Sequence, residues 1–234
     1  IDELITSKSD IETIPNWPFT EGEMIELPDN FGLLGNVKIN GKFTGFLSDF
    51  VAYGNASTAL GYVSSDINLK IDEATEKSSY SGKLSALGFQ IGKFTNSPAI
   101  LGKVSFKAGI EGTGLNLNNV NARLEGQVSE LELKGYTYSS IKVNGRLRRK
   151  QFEGNLNVDE PNFAIDFSGG IDLRSKIPVY DFTTTIHRAR LANLNLLKRD
   201  ESANLALAAD INIRGRDLDE LTGFILGENP RVGP

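Results

Sequence analysis

Residues 120–173 constrain this chain more than any other stretch. They read VNARLEGQVSELELKGYTYSSIKVNGRLRRKQFEGNLNVDEPNFAIDFSGGIDL. Val120, Ala122, Leu124 and Val128 point one way, and Asn121, Arg123, Glu125 and Gln127 the other. The alternation resumes at Ile141, Val143 and Leu147 against Lys142, Asn144, Arg146 and Arg148. It returns at Phe152, Leu156 and Val158, and again at Phe163, Ile165 and Phe167. Successive side chains of a strand leave opposite faces, so each run is a strand with one greasy and one wet side.

Beyond this stretch the same pattern recurs with a suggestion of internal repetition. GNVKINGKFTG (35–45) aligns with GKVSFKAGIEG (102–112) at a constant offset, matching Val37 to Val104, Ile39 to Phe106 and Phe43 to Ile110. A looser third copy, LALAADINIRG (205–215), keeps Leu207, Ala209 and Ile213 in apolar places, and Ile211 shares their parity. Each copy ends in a glycine, Gly45, Gly112 or Gly215, which is free to take a positive φ at a corner. A leucine and a further apolar residue follow: Leu47 and Phe50, Leu117 and Val120, Leu218 and Leu221. That step suits a single helical turn plugging the end of an apolar layer. The organisation read from this is a linker or end of a preceding unit at 1–30, β units at 31–101 and 102–204, and the start of a third at 205–234.

The remaining elements are strands too, including DINLKI (66–71), one or two over 80–94, and Tyr180, Phe182, Thr184 and Ile186. Residues 72–79 read as a polar loop. Leu191, Leu194 and Leu196 fit a turn or a strand. Helix is expected only in 1–14, capped by Ser9 or Asp10, and in 216–226. Pro15, Pro18 and Pro28 interrupt any long element around Trp17, which reads as a packing anchor.

Chemistry is sparse. There is no cysteine, which removes disulfides, thiolate metal sites and cysteine nucleophiles. The only histidine, His187, ends a strand on the face opposite Ile186 and reads as a solvated residue. Carboxylates are scattered; Asp159 and Glu160 precede Pro161 and read as turn residues. No phosphate loop or calcium loop has the required spacing. The net charge of −5 and the absence of long basic runs speak against a nucleic-acid partner. The expectation is a protein that is no enzyme and needs no cofactor or metal. Its working surface is the apolar face: Val37, Ile39, Val104, Phe106, Ile110, Leu124, Val128, Ile141, Val143, Leu147, Phe152, Leu156, Val158, Phe163, Ile165, Phe167, Phe182, Ile186, Leu207, Ile211 and Ile213. Periodicity does not choose between a core covered by a second sheet and a groove open to acyl chains.

The run from 102 to 173 resembles the periplasmic repeats of the AsmA/TamB superfamily, closest to its TamB branch. The corner GTGLNLNNV (112–120), the hairpin GYTYSSIKVNG (135–145), FEGNLNVD (152–159) and AIDFSG (164–169) carry the resemblance. It covers about 31–229. The resemblance implies an all-β fold made of one long, curled, antiparallel-rich sheet, an open trough or β-taco built from repeats. It also implies a periplasmic location, with the full-length protein anchored in the inner membrane and an outer-membrane barrel protein contacted by regions elsewhere. The chain begins at Ile1, and on this reading it is an internal segment. The implied role is conduction of phospholipid between the two membranes, with acyl chains as the partner of the apolar face. The alternative is a scaffold or chaperone for outer-membrane protein assembly that works by strand augmentation. A conduit requires an apolar face left uncovered. A scaffold requires an unblunted edge strand and a polar or filled interior. A third class, a secreted adhesion or carbohydrate-binding β-sandwich, requires two sheets around a fully buried core.

Overall fold

The structure, a computed structural model, describes residues 3–15, 24–46, 49–72, 77–114, 118–195, 204–214 and 222–233. Its described strands form one antiparallel sheet that does not close, and the described helix is confined to three short segments, Lys8–Ile11, Asp29–Leu34 and Ile91–Phe94. The all-β, antiparallel expectation therefore holds. The chain packs as two compact units, 1–113 with 131–134, and 114–130 with 135–234. The repeat reading divides at 101/102 and 204/205, which is a division by recurring sequence rather than by density of contact.

In the first unit, Leu4–Thr6 (β1), Val37–Phe46 (β2), Asp49–Thr58 (β3), Gly61–Asp72 (β4), Lys77–Phe89 (β5) and Leu101–Thr113 (β6) pair in sequence order. Both aligned copies of the repeat are thus strands, β2 and β6. Ile39, Ala56, Val63, Ala86 and Phe106 lie opposite one another across β2 to β6. One end of this unit is plugged by rings. Phe94, from the short helix Ile91–Phe94 (α2), meets Phe31 and Phe89 edge-on at 5.6 Å each, beside the buried Leu60.

In the second unit, Asn121–Leu133 (β7, whose last three residues count with the first unit), Ile141–Arg148 (β9), Gln151–Glu160 (β10), Phe163–Asp172 (β11), Val179–Arg190 (β12), Asn204–Arg214 (β13) and Thr222–Gly233 (β14) follow in order, with Tyr136–Tyr138 (β8) paired to β7 alone. Lys134 and Gly135 both take positive φ, 49° and 76°, the conformation that joins tight hairpins. At one end of the unit, Leu194 is 0% exposed in the turn after β12.

Several local expectations are corrected. Gly112 is not a corner residue; it lies inside β6, and Gly114 takes the positive φ (76°) instead. Gly45 likewise lies inside β2, and Phe50 inside β3 rather than on a helical turn. Residues 222–226 belong to β14, not a helix. The N-terminal helix is one turn, Lys8–Ile11 (α1), capped by Ser7, which accepts from the Asp10 amide. Residues 77–79, read as loop, begin β5. Trp17, Leu47, Leu117, Leu196, Gly215, Leu218 and Leu221 lie outside the described residues.

Glycines mark where neighbouring strands approach most closely. In the second unit Leu124, Gly145, Gly154, Gly169 and Phe182 form one row across β7 and β9 to β12. A Cβ at Gly154 would fall 2.4 Å from the Asn144 carbonyl oxygen, and one at Gly169 would fall 2.5 Å from that of Asp181. The strands therefore close on their apolar face more tightly than any side chain permits. This row, called the crease below, is a line of close backbone approach through three strands, which glycine permits because it has no side chain. The first unit has a related pair, Gly41 opposite Gly54, with a Cβ at Gly41 only 2.3 Å from the Tyr53 carbonyl oxygen.

Candidate functional site: the apolar sheet face

The ladder brings the candidate side chains of the second unit into continuous rows. Val128, Ile141, Val158, Ile165, Ile186 and Leu207 lie opposite one another through β7 and β9 to β13. Val143, Leu156 and Phe167 form the next row and are continued by Thr184 and Ala209. Beyond the glycine crease, Leu147 and Phe152 form a row with Ile171, Tyr180 and Ile213. Phe182 and Ile211 pair at the end of the crease itself. Phe163 faces Ala189 at one margin. In the first unit, Val37 and Ile39 sit on β2, and Val104, Phe106 and Ile110 on β6.

Their exposure matters more than their order. Only Val104, Ile141 and Val158 are buried; the other candidates are each half-buried, and none is exposed. A two-sheet core would bury most of them, because interiors are packed to near-crystalline density. The alternating neighbours Lys142, Asn144, Arg146 and Arg148 are exposed, so the polar face is the wetter one. Phe152 and Phe182 soften the crease. The Phe152 ring lies over Gly145, within 2.6 Å of where a Cβ would be, and the Phe167 and Phe182 ring centroids are 4.7 Å apart. Thr184 is the polar exception within the face. It is 5% exposed, and its hydroxyl donates to the Asp166 carbonyl at 3.1 Å, which removes the cost of burying it.

One end of the face is closed by a polar knot that the sequence reading missed. Glu160 is the last residue of β10 and is 6% exposed, not an open turn residue. Its carboxylate accepts from the Tyr136 hydroxyl at 2.9 Å and from the Asn162 amide at 3.2 Å. Asn162 in turn donates its side-chain amide to the Tyr136 oxygen at 3.0 Å. Burial pushes the Tyr136 phenol above its ordinary pKa; the Asn162 bond opposes this and the Glu160 bond adds to it. The rings of Tyr136, Tyr138 and Phe163 stack edge-on at 4.8 and 5.6 Å. The only available signal was a carboxylate beside a proline, which turn chemistry explains equally well.

His187 is exposed, as expected of a residue opposite Ile186, and its Nε2 lies 2.7 Å from the Asp166 carboxylate. Among the described residues no group of three or more His, Asp or Glu is arranged to hold a metal ion, and no helix is long and apolar enough to cross a membrane. Comparison with family models, with curated proteins and with solved structures returned no match for this chain.

Proposed function

We propose that this chain is a segment of an AsmA/TamB-like envelope protein whose apolar sheet face conducts phospholipid between the inner and outer membranes. The observation that carries the reading is the half-buried state of nearly the whole apolar face. Aliphatic and aromatic side chains form rows across the strands, interrupted by Thr184 and by the glycine row, yet protein does not fully cover them. Acyl chains need no polar anchor. Each methylene taken out of water contributes about 0.8 kcal/mol, so a few contacted methylenes per tail give useful affinity without specificity. The charged residues on the opposite face keep that side in water. The scaffold reading expects a polar or filled interior, and the rows of Val, Ile, Leu and Phe favour the conduit over it.

The test is lipid extraction from the purified chain, followed by mass spectrometry, for the wild type and for Leu124→Arg and Ile165→Asp. The expected result is bound phospholipid in the wild type and its loss in both variants, with the strand signal in circular dichroism unchanged. A wild-type chain free of lipid, with both variants normally stable, would sink the proposal.

A further inference from the structure

The polar face of the second unit carries a separate surface. A hollow of 670 Å³ opens there across β10 to β14. The ladder sets Glu153, Gly170 and Asp181 opposite one another in β10, β11 and β12. Because Gly170 has no side chain, the two carboxylates flank a gap rather than a ridge. Asp210 of β13 joins them and accepts a hydrogen bond from the Thr183 hydroxyl at 2.8 Å. No lysine or arginine lines the hollow among the described residues. At its margin Asp172 is already paired with Arg174.

The outer wall of the hollow has the opposite character. Phe224 and Leu226 of β14 are 54% and 62% exposed on a face whose other side chains at the hollow, Val179 apart, are charged or polar. Two large apolar residues left in water beside an acidic hollow are two independent features of one surface, and isolated solvation does not account for both.

We propose that this hollow docks an extended basic peptide segment of another protein, laid across the strands with an apolar residue against Phe224 and Leu226 and basic side chains toward Asp210, Asp181 and Glu153. Charge complementarity selects the occupant. Besides the paired Asp172, the lining offers three carboxylates and, among the described residues, no lysine or arginine, so a basic segment is the complementary occupant. A second copy would have to offer its own basic run, Arg146, Arg148, Arg149 and Lys150, and the test separates that outcome. The spacing also fits. Strands stand about 4.8 Å apart, so β14 to β10 spans roughly 19 Å, the reach of about six extended residues at about 3.3 Å each. Glu153 and Asp181 are two strands apart, roughly 10 Å. Arginines two positions apart in an extended segment share one face about 7 Å apart, and their long side chains span the remaining gap. This surface is independent of the lipid reading, since it lies on the other face of the sheet.

The test is fluorescence anisotropy with two labelled heptapeptides, one carrying a leucine and two arginines two positions apart on the same face, the other with glutamates in place of the arginines. The arginine peptide is expected to bind at least tenfold more tightly and to weaken as salt rises. Glu153→Lys combined with Asp181→Lys is expected to abolish the difference, and Phe224→Ser to weaken binding about tenfold by itself. All three positions are exposed, so circular dichroism should report an unchanged fold. Equal binding of the two peptides, no binding of either, or indifference to these substitutions overturns the proposal. Concentration-dependent dimerisation in light scattering that disappears in Phe224→Ser also overturns it, by assigning the wall to a second copy.

Discussion

Gly154 and Gly145 face one another across β9 and β10 so closely that a Cβ on Gly154 would lie 2.5 Å from the Gly145 Cα. No flexible side-chain end is available to move aside; the obstacle is backbone. Gly154→Ala is therefore expected to destabilise the second unit by about 1–3 kcal/mol, the usual cost of overpacking. Urea unfolding checks this. A midpoint equal to the wild type's would mean that the crease flattens at no cost.

Leu194 is the most completely buried large side chain described, and it sits in a turn rather than a strand. Leu194→Ala should cost about 2–5 kcal/mol, because the fixed ends of β12 leave little room for the site to collapse. Thermal unfolding with a linear denaturant series measures it. A loss under 1 kcal/mol would show that the turn packs on something other than this residue.

Tyr136→Phe removes one donor from a buried carboxylate. Bonds to charged groups are worth about 1.5–3 kcal/mol, so a loss in that range is expected. Glu160→Gln, and both changes together, complete a double-mutant cycle. Strictly additive losses would mean that the 2.9 Å bond between the two groups contributes nothing of its own.

The Asp166 carboxyl is held below its ordinary value, first by the His187 hydrogen bond and then by that from Asn157. The sign follows from a depressed folded-state pKa. The contribution is present above the ordinary carboxylate value near pH 3.8 and is lost as pH falls through the lower folded value. Both side chains are more than half exposed, so solvent and salt screen the effect and global stability should scarcely register it. His187→Ala should raise the Asp166 pKa toward its ordinary value in an NMR titration. An unmoved titration would assign the depression to Asn157 alone.

Much of the apolar face was legible in the sequence, because it follows from a local rule. Each residue of a strand turns its side chain to the face opposite its neighbour's, so Val143 had to share a side with Leu147, Leu156 with Val158 and Ile165 with Phe167 once their segments were strands. Register then set those sides together. The candidate residues kept their parity for that reason. The same rule makes His187, next to Ile186 in one strand, a wet residue. It also hid the crease. Gly145, Gly154 and Gly169 occupy apolar-face positions in their strands, but a glycine in a sequence reads as a turn unless its partners across the ladder are known.

Amino-acid order by itself determined that the chain is mostly strand, which side of each strand is greasy, and that histidine and cysteine chemistry has almost no material to work with. Tertiary structure decided what order could not. Register aligned three glycines from separate strands into one crease. It brought Glu160 onto Tyr136 across 24 positions of chain, and it left Phe224 and Leu226 beside an acidic hollow. Period two is a property of the backbone at each residue, and register is a property of pairs far apart in sequence. The first can be read from neighbours alone, and the second exists only once the strands have found one another.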